Sequence, residues 1–273
     1  MTFNFDSNEH VAYTTVPSAK AINTPAGIWV ANDNQESAGW EPGKELIGGI
    51  KYDLPLRQFD ELGNEKKVPG TLYKNPRLLI VGRSPLLQGI ERKVTGVWTK
   101  GSGERACRRY MLILLDEKNA PLHIAPIQLT AWGNFQLEFD KKLVEFRKEM
   151  EFFYSEITKK RKEPKSELWH SVCVFCPQFK TEMKGTAPNQ SPACITTGYI
   201  KPTAENFFNI CVGKDDYAQD VTTLFKSSEG WWKKSLKLNE EEEESFPAKD
   251  KWNVDNLSLP PAPQLDDDEF PPY

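Results

Sequence analysis

The most regular pattern along the chain is a stripe of apolar residues at the spacing of an α-helix. Its members are three or four positions apart and are Phe135, Phe139, Leu143, Phe146, Met150, Phe153 and Ile157. Lysine, arginine and glutamate fill many of the positions between them, so one helix face is apolar and the other is charged. The pattern predicts a long helix whose stripe packs against a core, limited at its C-terminal end by Pro164.

Shorter apolar runs on both sides of this helix predict strands. Before the helix they are residues 77–82, 93–99, 109–115 and 124–132, and after it 168–175, 193–199 and 207–212. Residues 215–226 predict a short final helix. Gly101-Ser102-Gly103 is too short to hold a phosphate and indicates a hairpin loop.

This order of elements predicts an α+β fold. It favours an OB-like small β-barrel with one long helix, because an OB-fold has three strands, a helix and two closing strands. Any α+β domain with one central helix would give the same order. We expect an OB-like core over residues 73–234, after an extended and partly packed N-terminal arm of residues 1–72 that is rich in Gly, Pro, Asn and Asp.

The charge of the chain is divided between a basic body and an acidic end. Residues 239–273 hold eleven Asp and Glu against two Lys, a charge of −9, so the other 238 residues carry 33 basic and 28 acidic side chains, or +5. Together these give the net charge of −4. We expect residues 235–273 to form a disordered acidic tail that competes with polyanions for the body and recruits basic partners.

Residue patterns that carry catalysis are scarce. The three histidines are His10, His123 and His170, and there is no serine nucleophile elbow, P-loop lysine or His-Glu-x-x-His sequence. The carboxylates lie on the charged helix face or in the tail, where solvation explains them. We therefore predict that the protein is not an enzyme and needs no cofactor.

One cluster leaves a metal site open as an alternative. His170, Cys173 and Cys176 follow at intervals of three, and Cys194 comes later, which gives the four soft ligands that zinc takes tetrahedrally. Val174 and Phe175 separate the two close cysteines, whereas structural zinc turns are rich in Gly, Lys or Pro. Buried free thiols are the favoured interpretation.

Basic and aromatic residues alternate in the second and third predicted strands and in the loop between them, and this pattern indicates a binding site more strongly than the possible zinc ligands do. They are Arg92, Lys93, Trp98, Lys100, Arg105, Arg108, Arg109 and Tyr110. Proteins that bind single strands without sequence preference need cations for phosphates and rings on which bases stack. A further patch, Trp231-Trp232-Lys233-Lys234, is either a stacking platform or the last packed part of the domain.

The last residues, LDDDEFPPY, carry a resemblance to a known family. Bacterial single-stranded-DNA-binding proteins end in an acidic tip with a terminal aromatic, and this chain resembles them in Asp266-Asp267-Asp268, in Pro271-Pro272 and in Tyr273. The order differs, because Phe270 precedes the prolines. The resemblance covers about nine residues. It implies that a basic pocket on replication or repair proteins would bind Asp266, Asp267, Asp268, Glu269, Phe270 and Tyr273.

The body resembles a different family. Residues 77–87, RLLIVGRSPLL, and Thr196-Thr197-Gly198-Tyr199 are similar to an uncharacterised cyanobacterial family. That resemblance implies no activity.

These observations lead to one main hypothesis and two alternatives. The main hypothesis is a non-enzymatic single-stranded-DNA-binding protein for replication and repair, with DNA or RNA preference left open. The alternatives are a protein-interaction scaffold without nucleic-acid binding and an enzyme whose site the sequence does not reveal. No apolar run reaches the ~18 residues that span a bilayer, and no signal peptide is present, so we expect a cytoplasmic protein with reduced cysteines.

Overall fold

A computed structural model describes residues 16–59, 65–90, 93–212 and 218–234. The predicted disordered tail therefore lies outside the described residues, as do the tip residues at its end. The described strands are β1 (Ser18–Asn23), β2 (Ala26–Ala31), β3 (Ile50–Lys51), β4 (Leu54–Phe59), β5 (Glu65–Val68), β6 (Gly70–Tyr73), β7 (Arg77–Arg83), β8 (Leu87–Ile90), β9 (Lys93–Val97), β10 (Arg105–Leu115), β11 (Ile127–Trp132), β12 (Pro177–Lys184) and β13 (Ser191–Tyr199).

The described helices are fewer and most are short. They are α1 (Asn32–Ser37), α2 (Gly133–Thr158), α3 (Glu167–Ser171), α4 (Ala218–Ser227) and α5 (Trp231–Lys234), with a 3-10 turn at Phe207–Asn209. The fold is thus a mixed α+β arrangement made mostly of strands, as the sequence predicts. No helix in the described part of the chain has both the length and the apolar content that crossing a membrane requires.

One large sheet organises the molecule. Its strands follow the order β3-β6-β2-β1-β11-β10-β8-β9. The long strand β10 pairs with β11 along one edge, and its other edge is shared by β7 and β8, which follow each other in the chain. Two smaller pairs, β12 with β13 and β4 with β5, form separate two-stranded sheets.

The sheet is open, so the OB-like barrel expected from the sequence is not confirmed. Among the described strands, β3 and β9 end the order and do not pair with each other. An OB-fold would bring its first and last strands together. The order of elements along the chain does not distinguish an open sheet from a closed barrel, because it does not show which strands pair.

The first described strands are also more central than the predicted arm. β1 pairs with β2, and it pairs in parallel with β11, where Ser18 lies opposite Gln128. Every residue of β2 is buried. A strand of six residues has little periodicity of its own, and the glycines and prolines around β1 and β2 favour an irregular segment. The sequence predicts an extended, partly packed arm over residues 1–72, whereas the described part of that segment contributes paired strands and the helix α1 to the fold.

The long helix is confirmed. α2 buries Phe135, Phe139, Leu143, Phe146 and Met150 of the predicted stripe. Near its end, Tyr154 is buried, while Phe153 and Ile157 are only half-buried. The helix ends at Thr158 because Lys159 takes a left-handed conformation with φ of 56°, before Pro164 is reached.

Two of the predicted strands are wrong. Residues 168–175 begin as α3, and residues 207–212 begin as the 3-10 turn. Extended backbone is limited to isolated bridges, where Cys173 pairs with Cys211 and Phe175 with Leu78. Residues 168–175 are a buried run, and residues 207–212 are buried except at Phe208 and Asn209. A short apolar run of this kind does not distinguish a strand from a helix by periodicity.

Candidate nucleic-acid interface

Part of the predicted nucleic-acid contact set lies along the β8–β9–β10 side of the large sheet. Lys93 begins β9, Trp98 and Lys100 follow that strand, and Arg105 begins β10. Lys93, Lys100 and Arg105 are exposed, and Trp98 is half-buried. We call these four residues the hairpin patch.

Backbone pairing fixes the hairpin patch to the sheet. Arg105 lies opposite Gly89 of β8, and β8 pairs in turn with β9. After β9, the Trp98 amide donates to the Leu86 carbonyl at 3.0 Å, and the Thr99 amide donates to Gln88 Oε1 at 2.8 Å. The three cations form no ion pair with another described residue. Arg92, which the sequence also assigns to this surface, lies outside the described residues.

The other three predicted contact residues do not join the patch. Tyr110 is fully buried, Arg109 is 9% exposed, and Arg108 is half-buried. β10 is covered from Cys107 onward because neighbouring strands and α2 pack on it. The predicted contact set is therefore corrected at these three positions, and Tyr110 cannot stack a base.

Arg108 and Tyr110 instead surround a carboxylate on α2. Asp140 Oδ1 accepts from Tyr110 Oη at 2.5 Å and from Arg83 Nη2 at 2.9 Å. Asp140 Oδ2 lies 2.8 Å from Arg108 Nε and accepts from Gln136 Nε2 at 2.6 Å. We call this set the Asp140 network. It connects the ends of β7 and β10 to the first turns of α2.

The charges of the Asp140 network set its protonation states. Burial of Asp140 acts to raise its pKa, but Arg83 and Arg108 outweigh burial and hold the carboxyl pKa below its ordinary value. Burial, together with the neighbouring carboxylate, raises the pKa of Tyr110 well above its usual range. At neutral pH the carboxylate is ionised and the phenol stays protonated as a donor. The arrangement supports structure, since the Asp140 carboxylate is held by two arginines, a phenol and an amide.

Asp140 is not among the site residues predicted from the sequence, although the sequence contains a pattern that points to it. Gln136 and Asp140 follow Phe135 and Phe139, so they form an i, i+4 polar pair on the flank of the apolar stripe. A carboxylate in that position needs a cation on the facing strand. Arg83 and Arg108 supply it.

A cleft of about 560 Å³ lies beside the Asp140 network. The end of β7, the start of α3 and the α4–α5 segment form its walls. Its apolar lining comes from Pro85, Leu168, Phe225, Trp231 and Trp232, and its charged lining from Arg83, Glu167, Lys226 and Glu229. We call it the tryptophan cleft. Trp231 packs against the core and Trp232 is half-buried. The two residues are therefore part of the packed domain, and they also line the cleft.

A second cleft, of about 720 Å³, lies between α1 and β6 and is acidic. Its charged lining is Glu36, Glu45, Lys51 and Asp53. Trp40 forms part of this cleft and stacks on His123 with ring centroids 4.2 Å apart. Burial lowers the pKa of His123 to about 4. The ring is thus neutral at pH 7, accepting from the Leu114 amide and donating to the Ala125 carbonyl.

The four residues of the zinc alternative do not come together. The described part of the chain holds no group of three or more His, Cys, Asp or Glu side chains that could bind a metal ion. His170 Nε2 lies 3.1 Å from Glu151, and Cys173 contacts Cys211. Burial raises the pKa of Cys176 to about 11 and that of Cys194 to about 12, which disfavours thiolates. Buried thiols remain the better description of these cysteines.

Comparison with known proteins shows relatives along most of the chain. The sequence profile of DUF5895, described as a domain of unknown function, matches residues 14–244. The chain is 40% identical over 286 residues to a protein of Invertebrate iridescent virus 6 named "Uncharacterized protein 254L", covering 91% of this chain and 85% of the viral protein. No solved structure matches. The acidic tip falls outside the matched family range.

Proposed function

The chain belongs to the DUF5895 family, and we propose that it is a non-enzymatic protein that binds single-stranded nucleic acid. The hairpin patch is the observation that supports this most, because it combines three exposed cations with the half-buried ring of Trp98 on the β8–β9–β10 side of the sheet. Cations bind the phosphates of a single strand, and each base stacked on an aromatic ring contributes about 1–3 kcal/mol. Such a patch needs a fixed hairpin but no closed OB barrel.

The acidic tail completes the proposal. Residues 239–273 carry −9 and the rest of the chain +5, so the tail competes with nucleic acid for the hairpin patch, most strongly at low salt. Once a strand occupies the patch, the tip is released. The resemblance of the tip to single-stranded-DNA-binding proteins supports recruitment of replication or repair proteins through Asp266, Asp267, Asp268, Glu269, Phe270 and Tyr273.

Fluorescence anisotropy with labelled single-stranded and duplex oligonucleotides tests this function. We expect binding to single strands that weakens steeply with salt. Replacing Lys93, Lys100 and Arg105 by alanine removes three phosphate contacts. The negative slope of log K against log salt should therefore become less steep by about 2, at ~0.7 for each contact. Trp98→Ala should weaken binding by about 1–3 kcal/mol, and Trp98→Phe should retain most of it.

The matched control replaces three other exposed lysines, Lys74, Lys118 and Lys180, by alanine. Lys74 and Lys118 lie near the end of the β7–β10 pair that is opposite the hairpin patch. The control has the same net charge as the patch variant, so equal losses would show that only overall charge matters. Absence of single-strand binding at low salt would rule out the proposed function.

A protein-interaction scaffold is the second candidate, and the outer face of α2 favours it. Leu137, Val144 and Phe152 are 61%, 39% and 45% exposed along this helix. Lys141 and Lys148 alternate with them at helical spacing. Apolar side chains that line one exposed face are typical of a protein contact. The oligonucleotide titration separates the two candidates, because a scaffold would bind neither strand nor duplex.

A further inference from the structure

The tryptophan cleft is built on the sheet and does not depend on a ligand for its shape. Ser228 Oγ donates to the Val81 carbonyl at 3.0 Å, which fixes the turn between α4 and α5 on β7. Trp231 lies so close to β7 that a Cβ atom on Gly82 would come within 2.8 Å of its Nε1. Glycine at position 82 therefore lets the indole ring form the floor of the cleft.

The chemistry of the cleft differs from that of the hairpin patch. Its two cations, Arg83 and Lys226, are balanced by Glu167 and Glu229. Arg83 also has its guanidinium committed to Asp140. A neutral cleft does not concentrate a polyanion. Its aromatic and proline walls instead resemble in kind the grooves that hold proline-rich segments, which bind with little loss of entropy because they are already extended.

The chain itself contains a segment of the matching composition. Residues 257–265 read LSLPPAPQL, with three prolines and no charged side chain. Only 22 residues separate this segment from residue 234, the last described residue, which lies two positions after Trp232 of the cleft wall. A flexible linker of that length has a mean reach of about 26 Å. Its effective concentration is on the order of 1 mM, so an intrinsic Kd of about 1 mM would occupy half of the clefts.

We propose that residues 257–265 dock in the tryptophan cleft of the same chain, with Pro260, Pro261 and Pro263 against the rings of Trp231 and Trp232. The docked segment leaves the acidic tip, residues 266–273, outside the cleft and anchored next to the folded body. This inference does not require nucleic-acid binding. It assigns the cleft to a neutral proline-rich peptide, and it separates the docking segment from the tip that follows it.

Hydrogen–deuterium exchange of the full chain tests the docking. Replacing Pro260, Pro261 and Pro263 by alanine should make exchange in residues 225–232 about twofold faster or more, since half-occupancy protects by that factor. The matched control is Pro271→Ala with Pro272→Ala, which changes prolines of the tip and should leave the cleft unchanged. All of these substitutions lie outside the described residues, so none of them replaces a residue of the described fold.

A labelled peptide of residues 255–267, added to the full chain with its own three prolines replaced, measures the same contact directly. Its anisotropy should report binding that Trp232→Ala abolishes and that Phe208→Ala, at an exposed ring outside the cleft lining, retains. A peptide with alanine for proline that binds equally well would overturn the proposal. So would unchanged exchange in the proline variant, or protection that grows with protein concentration, which would assign the docking to a second copy.

Discussion

At the scale of single residues, Asp140 shows how a buried charge is tolerated. Its two oxygens receive two arginines, a phenol and an amide. Removing one member of such a set leaves the others buried without a counter-charge. The stability lost in this way is larger than the stability that the network gains over apolar residues at the same positions. The network therefore sets which strand ends face the start of α2.

We expect Asp140→Ala to lower the free energy of unfolding by about 3–5 kcal/mol, because Arg83 and Arg108 lose their shared carboxylate. Glu138→Ala, at a half-exposed position on the same helix, is the control and should change stability by less than about 0.5 kcal/mol. Urea denaturation at pH 7 measures both. Equal losses in the two variants would mean that Asp140 contributes no more than an ordinary surface carboxylate.

Because His123 is buried in its neutral form, we expect the protein to lose stability in mild acid. Its folded pKa of about 4 lies below the ordinary 6.5, so the unfolded chain binds the proton first as the pH falls. The stabilisation is complete above pH 6.5 and is lost on the way to pH 4, by about 3 kcal/mol. Burial also lowers the pKa of His170, which acts in the same direction.

Urea denaturation at pH 7.0 and pH 4.5 checks this expectation. The variant His123→Gln should be less stable at pH 7, because it loses the two buried hydrogen bonds of the ring, but its stability should change less between the two pH values. A variant with the same pH dependence as the original chain would assign the acid sensitivity to other groups.

At the scale of elements, α2 offers two phenylalanines in opposite environments. Phe139 is fully buried against the rings of Tyr110, Phe135 and Phe175, whereas Phe152 is exposed. We expect Phe139→Ala to cost about 3–5 kcal/mol of unfolding free energy. Phe152→Ala should cost less than about 1 kcal/mol. Thermal or urea unfolding compares them, and similar losses would contradict the burial pattern of the helix.

The elements of the fold differ in how well the sequence predicts them. α2 was predictable because its stripe repeats over many turns, and β7 and β9 because they are bounded runs of strand-forming residues. β1 and β2 were missed because their pairing with β11 and β6 is remote in sequence. The sequence predicts a strand where α3 lies, because a helix of five residues, four of them buried, carries no period that separates the two forms.

The candidate site was predictable only in part, for the same reason. Alternation identified Lys93 and Arg105 as surface cations, and both are exposed. It could not show that β10 passes under α2, which buries Tyr110 against Phe139, or that Arg109 is buried as well. The tryptophan cleft combines β7 with α4 and α5, which are far apart in the chain, so its lining could not be assembled from local patterns.

At the scale of the whole molecule, the division of charge gives a further prediction. Deleting residues 239–273 removes a charge of −9 and should raise affinity for single-stranded oligonucleotides. The gain should be largest at low salt, since added ions screen the competition between tail and strand. Anisotropy titrations at two salt concentrations measure it. Equal affinity of the shortened and full chains would remove the competition from the proposed function.

The parallel seam between β1 and β11 has a consequence for how the protein is made. A ribosome releases β1 and β2 long before it synthesises β11, so the nascent chain presents a bare strand edge that invites pairing with other chains. Closing the seam depends on a contact remote in sequence, which slows folding. Two fragments cut between these strands would each hold one side of the seam, and mixing them should rebuild the sheet.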